Sequence, residues 1–108
     1  MFPADTYANA VATCEALPGF LVTIDDVAEN THALNIAPAG AWIGFNDLAT
    51  EGMFVWFEPG TAFTSWATGQ PNDGGGGTTE DCVAMRADGR WYDEDCPTEV
   101  YPFVCQCR

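Results

Sequence analysis

At 108 residues the chain has room for one domain and one modest core. Hydrophobic residues make up 47% and aromatics 13%, a composition that excludes a disordered segment. Sixteen acids against three basic residues give a net charge of −13, which excludes nucleic acid and anionic membrane as natural partners, since both call for basic patches.

Asp5 or Thr6 is suited to cap a first helix reaching about Leu17. Ala8, Ala10, Val11, Cys14 and Leu17 recur at helical spacing, and Pro18-Gly19 stops the run. With little more than Met1-Phe2-Pro3 ahead of that cap, a leading strand is expected to be almost absent. Residues 20–24 read as a short apolar strand. Thr23-x-x-Asp26 looks like a capping box for a second helix carrying Val27, Ala28, Thr31, Leu34 and Asn35. It ends before Pro38-Ala39-Gly40, with His32 on its solvent side.

The second half changes character. Residues 41–45 form an apolar strand, 46–52 a polar loop and 53–57 another strand. Glu58-Pro59-Gly60 is a turn, and residues 63–66 lead into an oxygen-rich stretch. Residues 82–86 and 90–92 are strands joined at Ala87-Asp88-Gly89, a strong hairpin signal. Residues 93–97 read as loop and 101–107 as one closing strand. Helices first and strands after give an α+β chain without βαβ repeats. No apolar run is long enough to span a bilayer.

The oxygen-rich stretch is Gln70-Pro71-Asn72-Asp73, four glycines, and Thr78-Thr79-Glu80-Asp81-Cys82. Calcium takes six to eight oxygens from carboxylates, amides and carbonyls, and this stretch offers those types. A cis bond at Pro71 would aim Gln70 and Asn72 at one point. The same residues also read as a solvated acidic loop. The five cysteines, Cys14, Cys82, Cys96, Cys105 and Cys107, suggest two disulfides with one thiol over, hence an oxidising compartment. Zinc is a poor rival, because Cys105-x-Cys107 is too tight for a knuckle and His32 stands alone. No Ser-His-Asp set is present, so no catalytic residues are expected and the chain does not read as an enzyme. Met1 reads as a start placed on a piece of a larger secreted or surface protein, with residues 1–108 forming its single domain.

In this order, the residues resemble the C-type lectin-like domain from Tyr7 to Cys105. The matching positions are Cys14, Trp42-Ile43-Gly44-Phe45, Trp66, Gln70-Pro71-Asn72, Glu80-Asp81-Cys82, Trp91-Tyr92-Asp93 and Phe103-Val104-Cys105. The resemblance implies two helices flanking two small antiparallel sheets with a long loop above. It implies disulfides Cys14–Cys105 and Cys82–Cys96. It implies a calcium ion held by Gln70, Asn72, Glu80 and Asp93, and a second held by Asp47, Glu51, Asp73 and Glu80. Four carboxylates around one point are costly without a cation. The ligand implied is a glycan whose vicinal hydroxyls complete the calcium shell, contacting Gln70, Asn72, Glu80, Tyr92 and Asp93. Tyr92 stands where the family usually has Asn, and Gln70-Pro71-Asn72 mixes the mannose-like and galactose-like patterns, so the sugar class stays open. A rival reading keeps calcium as a stiffener and gives the domain a protein or ice as partner. Cys107 has no partner in this scheme; it pairs beyond this stretch, joins two chains, or stays a free thiol.

Overall fold

The computed structural model describes residues 2–50, 52–57, 63–70 and 81–107. Its chain order is β1 (Phe2–Asp5), α1 (Tyr7–Glu15), β2 (Gly19–Leu21), α2 (Val27–Ile36), β3 (Gly40–Asn46), β4 (Val55–Trp56), β5 (Cys82–Arg86), β6 (Trp91–Glu94), β7 (Tyr101–Phe103) and β8 (Cys105–Cys107). The α+β class is as expected. One sheet has six strands in the order β1-β7-β3-β5-β6, with β4 also on β3; the other is the pair β2–β8. The larger sheet is not wholly antiparallel, because β3 and β7 run parallel.

Thr6 caps α1, accepting from the Asn9 amide at 3.4 Å, and Asp5 supports it by accepting from the Thr6 amide at 2.8 Å. The helix buries Tyr7, Ala10 and Cys14, at three- and four-residue spacing. It ends before Leu17, which is 56% exposed. The expectation of a nearly absent first strand is overturned. Residues 2–5 pair with β7, and the Phe2 and Phe103 rings stack at 5.0 Å. The α2 cap also moves. Asp26, not Thr23, accepts from the Glu29 amide at 2.8 Å, while Glu29 reaches back to the Asp25 amide at 2.7 Å. Thr23 is buried instead, its amide donating to Gln106 Oε1 at 2.9 Å.

The central strand β3 is buried along its whole length. Alternation sends successive side chains to opposite faces. Trp42 and Ala84 join Tyr7, Cys14 and Phe103 under α1. Ile43, Val83, Met85 and Trp91 join Phe45 and the α2 residue Ala33 on the other face. Trp91 is fully buried, its indole N–H donating to Asn30 Oδ1 at 2.8 Å. Asn30 in turn donates to the Gly89 carbonyl at 2.9 Å, which ties α2 to the β5–β6 hairpin.

Gly44 joins the two sheets. Its amide donates to the Val22 carbonyl at 2.9 Å, and an added Cβ would lie 2.7 Å from the Leu21 carbonyl oxygen. The obstacle is backbone on both sides, so it cannot swing away. Gly44→Ala should cost about 1–3 kcal/mol by overpacking. For a domain of this size each kcal/mol shifts Tm by roughly 4–8 °C. An unchanged melting curve would show that the sheets do not meet this closely.

Candidate functional site

The candidate site is the edge where β3 ends, β5 begins and β6 ends. Asn46 lies opposite Cys82, and Cys82 opposite Glu94. The backbone continues this junction past β3, since the Asp47 amide donates to the Asp81 carbonyl at 2.9 Å. The expected disulfides are both present. Cys14–Cys105 spans 91 residues and ties α1 to β8; Cys82–Cys96 spans 14 and fastens the start of β5 to the segment after β6.

Asp47 is 2% exposed. Its Oδ2 accepts from the Gly52 amide at 2.7 Å, with Gly52 at φ +83°, a conformation suited to glycine. Its Oδ1 is buried and meets no hydrogen-bond donor among the described residues. Burying a carboxylate oxygen without a partner is costly, so this position is a natural cation ligand.

A second part comes from residues 65–70, which run beside β6. Trp91 donates to the Ser65 carbonyl at 2.8 Å and the Ala67 amide donates to the Trp91 carbonyl at 3.0 Å. Gln70 then closes a turn, its amide donating to the Ala67 carbonyl at 3.0 Å, and its side-chain Oε1 accepts from the Asp93 amide at 3.2 Å. Gln70 and Asp93 are therefore brought together, as expected, with Asp93 only 3% exposed. Asn72, Asp73, Glu80 and Glu51 lie outside the described residues, as does Pro71. So does the fate of the Cys107 thiol. Among the described residues no group of three or more His, Cys, Asp or Glu side chains forms a metal cage.

Residues 93 and 94 belong to β6, not to the expected loop. The reason is Glu94. It is 4% exposed and accepts from Arg86 at 2.7 and 2.9 Å and from the Tyr101 hydroxyl at 3.0 Å. Tyr92 also departs from expectation. It shares its face of the hairpin with Arg86 and Glu94, opposite to Asp93. Its hydroxyl donates to Asp88 Oδ2 at 2.7 Å and the Arg86 guanidinium sits 4.0 Å from its ring centre. That contact holds the Tyr92 ring on the Arg86 face of the hairpin, opposite to the Asp93 side chain. Sequence reasoning missed Glu94 because a buried Glu–Arg–Tyr set leaves no periodic signal. His32 is exposed, as expected.

All three tyrosines of the chain have raised pKa values. Burial raises Tyr7 far above 10.0; burial and the Glu94 charge push Tyr101 up to about 12; the hydrogen bond to Asp88 raises Tyr92. A raised tyrosine favours its protonated form in the folded state. That stability is complete below pH 10.0 and drains as pH climbs through the folded values. A spectrophotometric titration should find Tyr7 and Tyr101 forming no phenolate at the ordinary value of free tyrosine, and their ionisation coinciding with unfolding. Simple titration of three tyrosines near pH 10 would contradict this packing.

A family model for the Lectin C-type domain matches residues 4–107. The chain is 39% identical over 102 residues to the Low affinity immunoglobulin epsilon Fc receptor of Mus musculus, covering 93% of this chain and 30% of that protein. It is 38% identical over 106 residues to Collectin-10 of Xenopus tropicalis, covering 93% and 38%. The chain thus spans about a third of the length of these curated relatives. Among solved structures it resembles the cow C-type carbohydrate-recognition domain of CD23 in the presence of GlcNAc2Man3 oligosaccharide, with TM-score 0.85, 36% identity and coverage of 96% and 81%. It also resembles a calcium-independent type II antifreeze protein, with TM-score 0.84, 27% identity and coverage of 94% and 78%.

Proposed function

The chain belongs to the C-type lectin domain family, and from that premise we propose that it is a glycan-binding module whose sugar is held by a calcium ion. The observation that carries this reading is Asp47, buried with one carboxylate oxygen lacking a donor among the described residues. Gln70 beside Asp93 supports it. In this proposal Gln70, Asn72, Glu80 and Asp93 hold the ion that meets the sugar. Asp47, Glu51, Asp73 and Glu80 hold a second ion. When bound, calcium supplies coordination positions that two vicinal sugar hydroxyls can fill, while amide and carboxylate groups hydrogen-bond the same hydroxyls. Mannose-like and galactose-like pairs both suit the Gln70-Pro71-Asn72 stretch.

The reading extends to location and role. The two disulfides favour a secreted or cell-surface protein. The domain binds and does not catalyse, and it forms one module of a longer chain.

A second reading has calcium order the loop while the partner is a protein or an ice surface. The likeness to an antifreeze protein, itself calcium-independent, and the turning of the Tyr92 side chain away from that of Asp93 favour its non-sugar partner, though not its calcium. A glycan array run with calcium and with chelator separates the two. The lectin reading expects sugar signals that vanish on chelation. Calcium binding with no sugar signal would leave the second reading standing, and sugar signals indifferent to chelator would overturn both.

A further inference from the structure

A cleft of about 490 Å³ lies between α2 on one side and residues 22–23 and 104–106 on the other. That size falls within the range of ligand pockets, roughly 300–1,000 Å³. We propose that the cleft docks a basic, apolar segment of a partner protein. An apolar side chain enters it, and a lysine or arginine meets its acidic rim. None of its lining residues belongs to the proposed calcium site, so the inference stands apart from the lectin reading.

Three observations carry it. First, α2 leaves the cleft unfilled. Of its ten residues only Ala33 is buried. Glu29, His32, Ala33 and Ile36 recur at three- and four-residue spacing and line the cleft, with Ile36 still 37% exposed. Val22 and Val104 line the other side, and their backbone is already engaged. The Val22 amide donates to the Val104 carbonyl at 3.2 Å, and the Val22 carbonyl accepts from the Gly44 amide at 2.9 Å. A partner is therefore recognised here by side chains and not by adding a strand. Second, the rim is acidic and held in place. Asp26 Oδ1 accepts from the Glu29 amide at 2.8 Å, and Glu29 Oε1 accepts from the Asp25 amide at 2.7 Å. Both residues are exposed and line the cleft, so the other oxygen of each is left to a partner. No lysine or arginine lines the cleft, and the one ion pair among the described residues is Arg86–Glu94. The matching cation must come from outside, where it gains charge-assisted hydrogen bonds. Third, Gln106 is fixed through its Oε1, which accepts from the Thr23 amide at 2.9 Å, and its amide N–H groups suit a partner's carbonyl. The net charge of −13 selects among occupants. It repels a second copy and an anionic membrane and draws in a cationic segment.

The test titrates capped octapeptides into the isotope-labelled chain at about 0.15 M salt and follows its backbone amide resonances, with calcium and with chelator. A peptide of four Leu-Arg repeats should bind saturably with a Kd below about 1 mM. The shifts should cluster at residues 22–36 and 104–106 and be the same with calcium and with chelator. Four Ser-Arg repeats carry the same charge and should bind more weakly by roughly tenfold or more, for want of an apolar side chain. Four Leu-Glu repeats should not bind. Asp26→Asn combined with Glu29→Gln keeps both capping acceptors and removes both charges. It should weaken the Leu-Arg peptide about fivefold at unchanged Tm. Ala28→Trp, at an exposed position lining the cleft, should fill it and abolish the shifts. No binding, equal binding of the Ser-Arg peptide, shifts centred elsewhere, a requirement for calcium, or binding unchanged in both variants overturns the proposal. Dimers in sedimentation that Ala28→Trp dissolves would give the cleft to a second copy and overturn it as well. Should the double variant lower Tm, Ala28→Trp decides alone.

Discussion

Replacing Cys14 and Cys105 together by alanine is expected to lower folding stability by about 4–5 kcal/mol. The bond closes a loop of 91 residues, almost the whole chain, and loop-closure entropy grows with loop length. It also anchors α1, whose Cys14 is fully buried beside Tyr7 and Trp42, to the short sheet β2–β8. Domains of this kind hold only about 5–15 kcal/mol in total, so the variant should be close to unfolded near physiological temperature. Urea unfolding measures it directly. A loss below about 1 kcal/mol would mean that the bond adds nothing to the packing around it. The pair Cys82 and Cys96 closes 14 residues, so its removal should cost less, about 3 kcal/mol. Its loss should be felt instead at the proposed calcium site, because Cys82 follows Asp81, whose carbonyl accepts from the Asp47 amide.

Asp47→Asn should change the sign of its effect on stability when calcium is added. Without calcium the wild-type chain carries a buried carboxylate oxygen with no donor among the described residues. Asparagine keeps the shape, keeps an acceptor for the Gly52 amide at 2.7 Å, and removes the charge. The variant should then be as stable as the wild type or more so. With calcium the order reverses. Changing groups merely behind a metal ligand costs 10–100-fold in affinity, so losing a ligand should cost on the order of a hundredfold. At calcium a hundredfold above its Kd the wild type gains about 2.7 kcal/mol, and the variant only about 0.4 kcal/mol. Thermal melts with calcium and with chelator read all four numbers. Equal calcium shifts in both proteins would remove Asp47 from the ligand set.

These predictions draw on parts of the fold that the sequence declares and on parts that it hides. The β5–β6 hairpin is legible because Asp88-Gly89 is a local signal and Gly89 takes φ +77° as that turn requires. Helix α1 is legible because Ala10, Val11 and Cys14 recur at its period, although Ala8 and Leu17 face solvent and the buried Tyr7 was not among the residues read as its face. Strand β1 is not, since Phe2–Asp5 exists only by pairing with residues a hundred positions away. The α2 cap is misread because Thr23, the better local candidate, is claimed by Gln106. The closing segment 101–107 looks like one strand but divides at Val104, giving β7 to one sheet and β8 to the other. At the candidate site, Gln70 and Asp93 were legible by motif. The turning of Tyr92 was not, because it depends on Arg86 and Asp88 across the hairpin.

Titrating calcium into chelator-stripped protein and following the heat tests the central claim most directly. The account predicts saturable binding with a Kd in the range of about 0.1–1 mM, as for extracellular modules, and in Asp47→Asn loss of the share of that heat that belongs to the second ion. No saturable binding up to roughly 10 mM, ten times the weak end of that range, would contradict it.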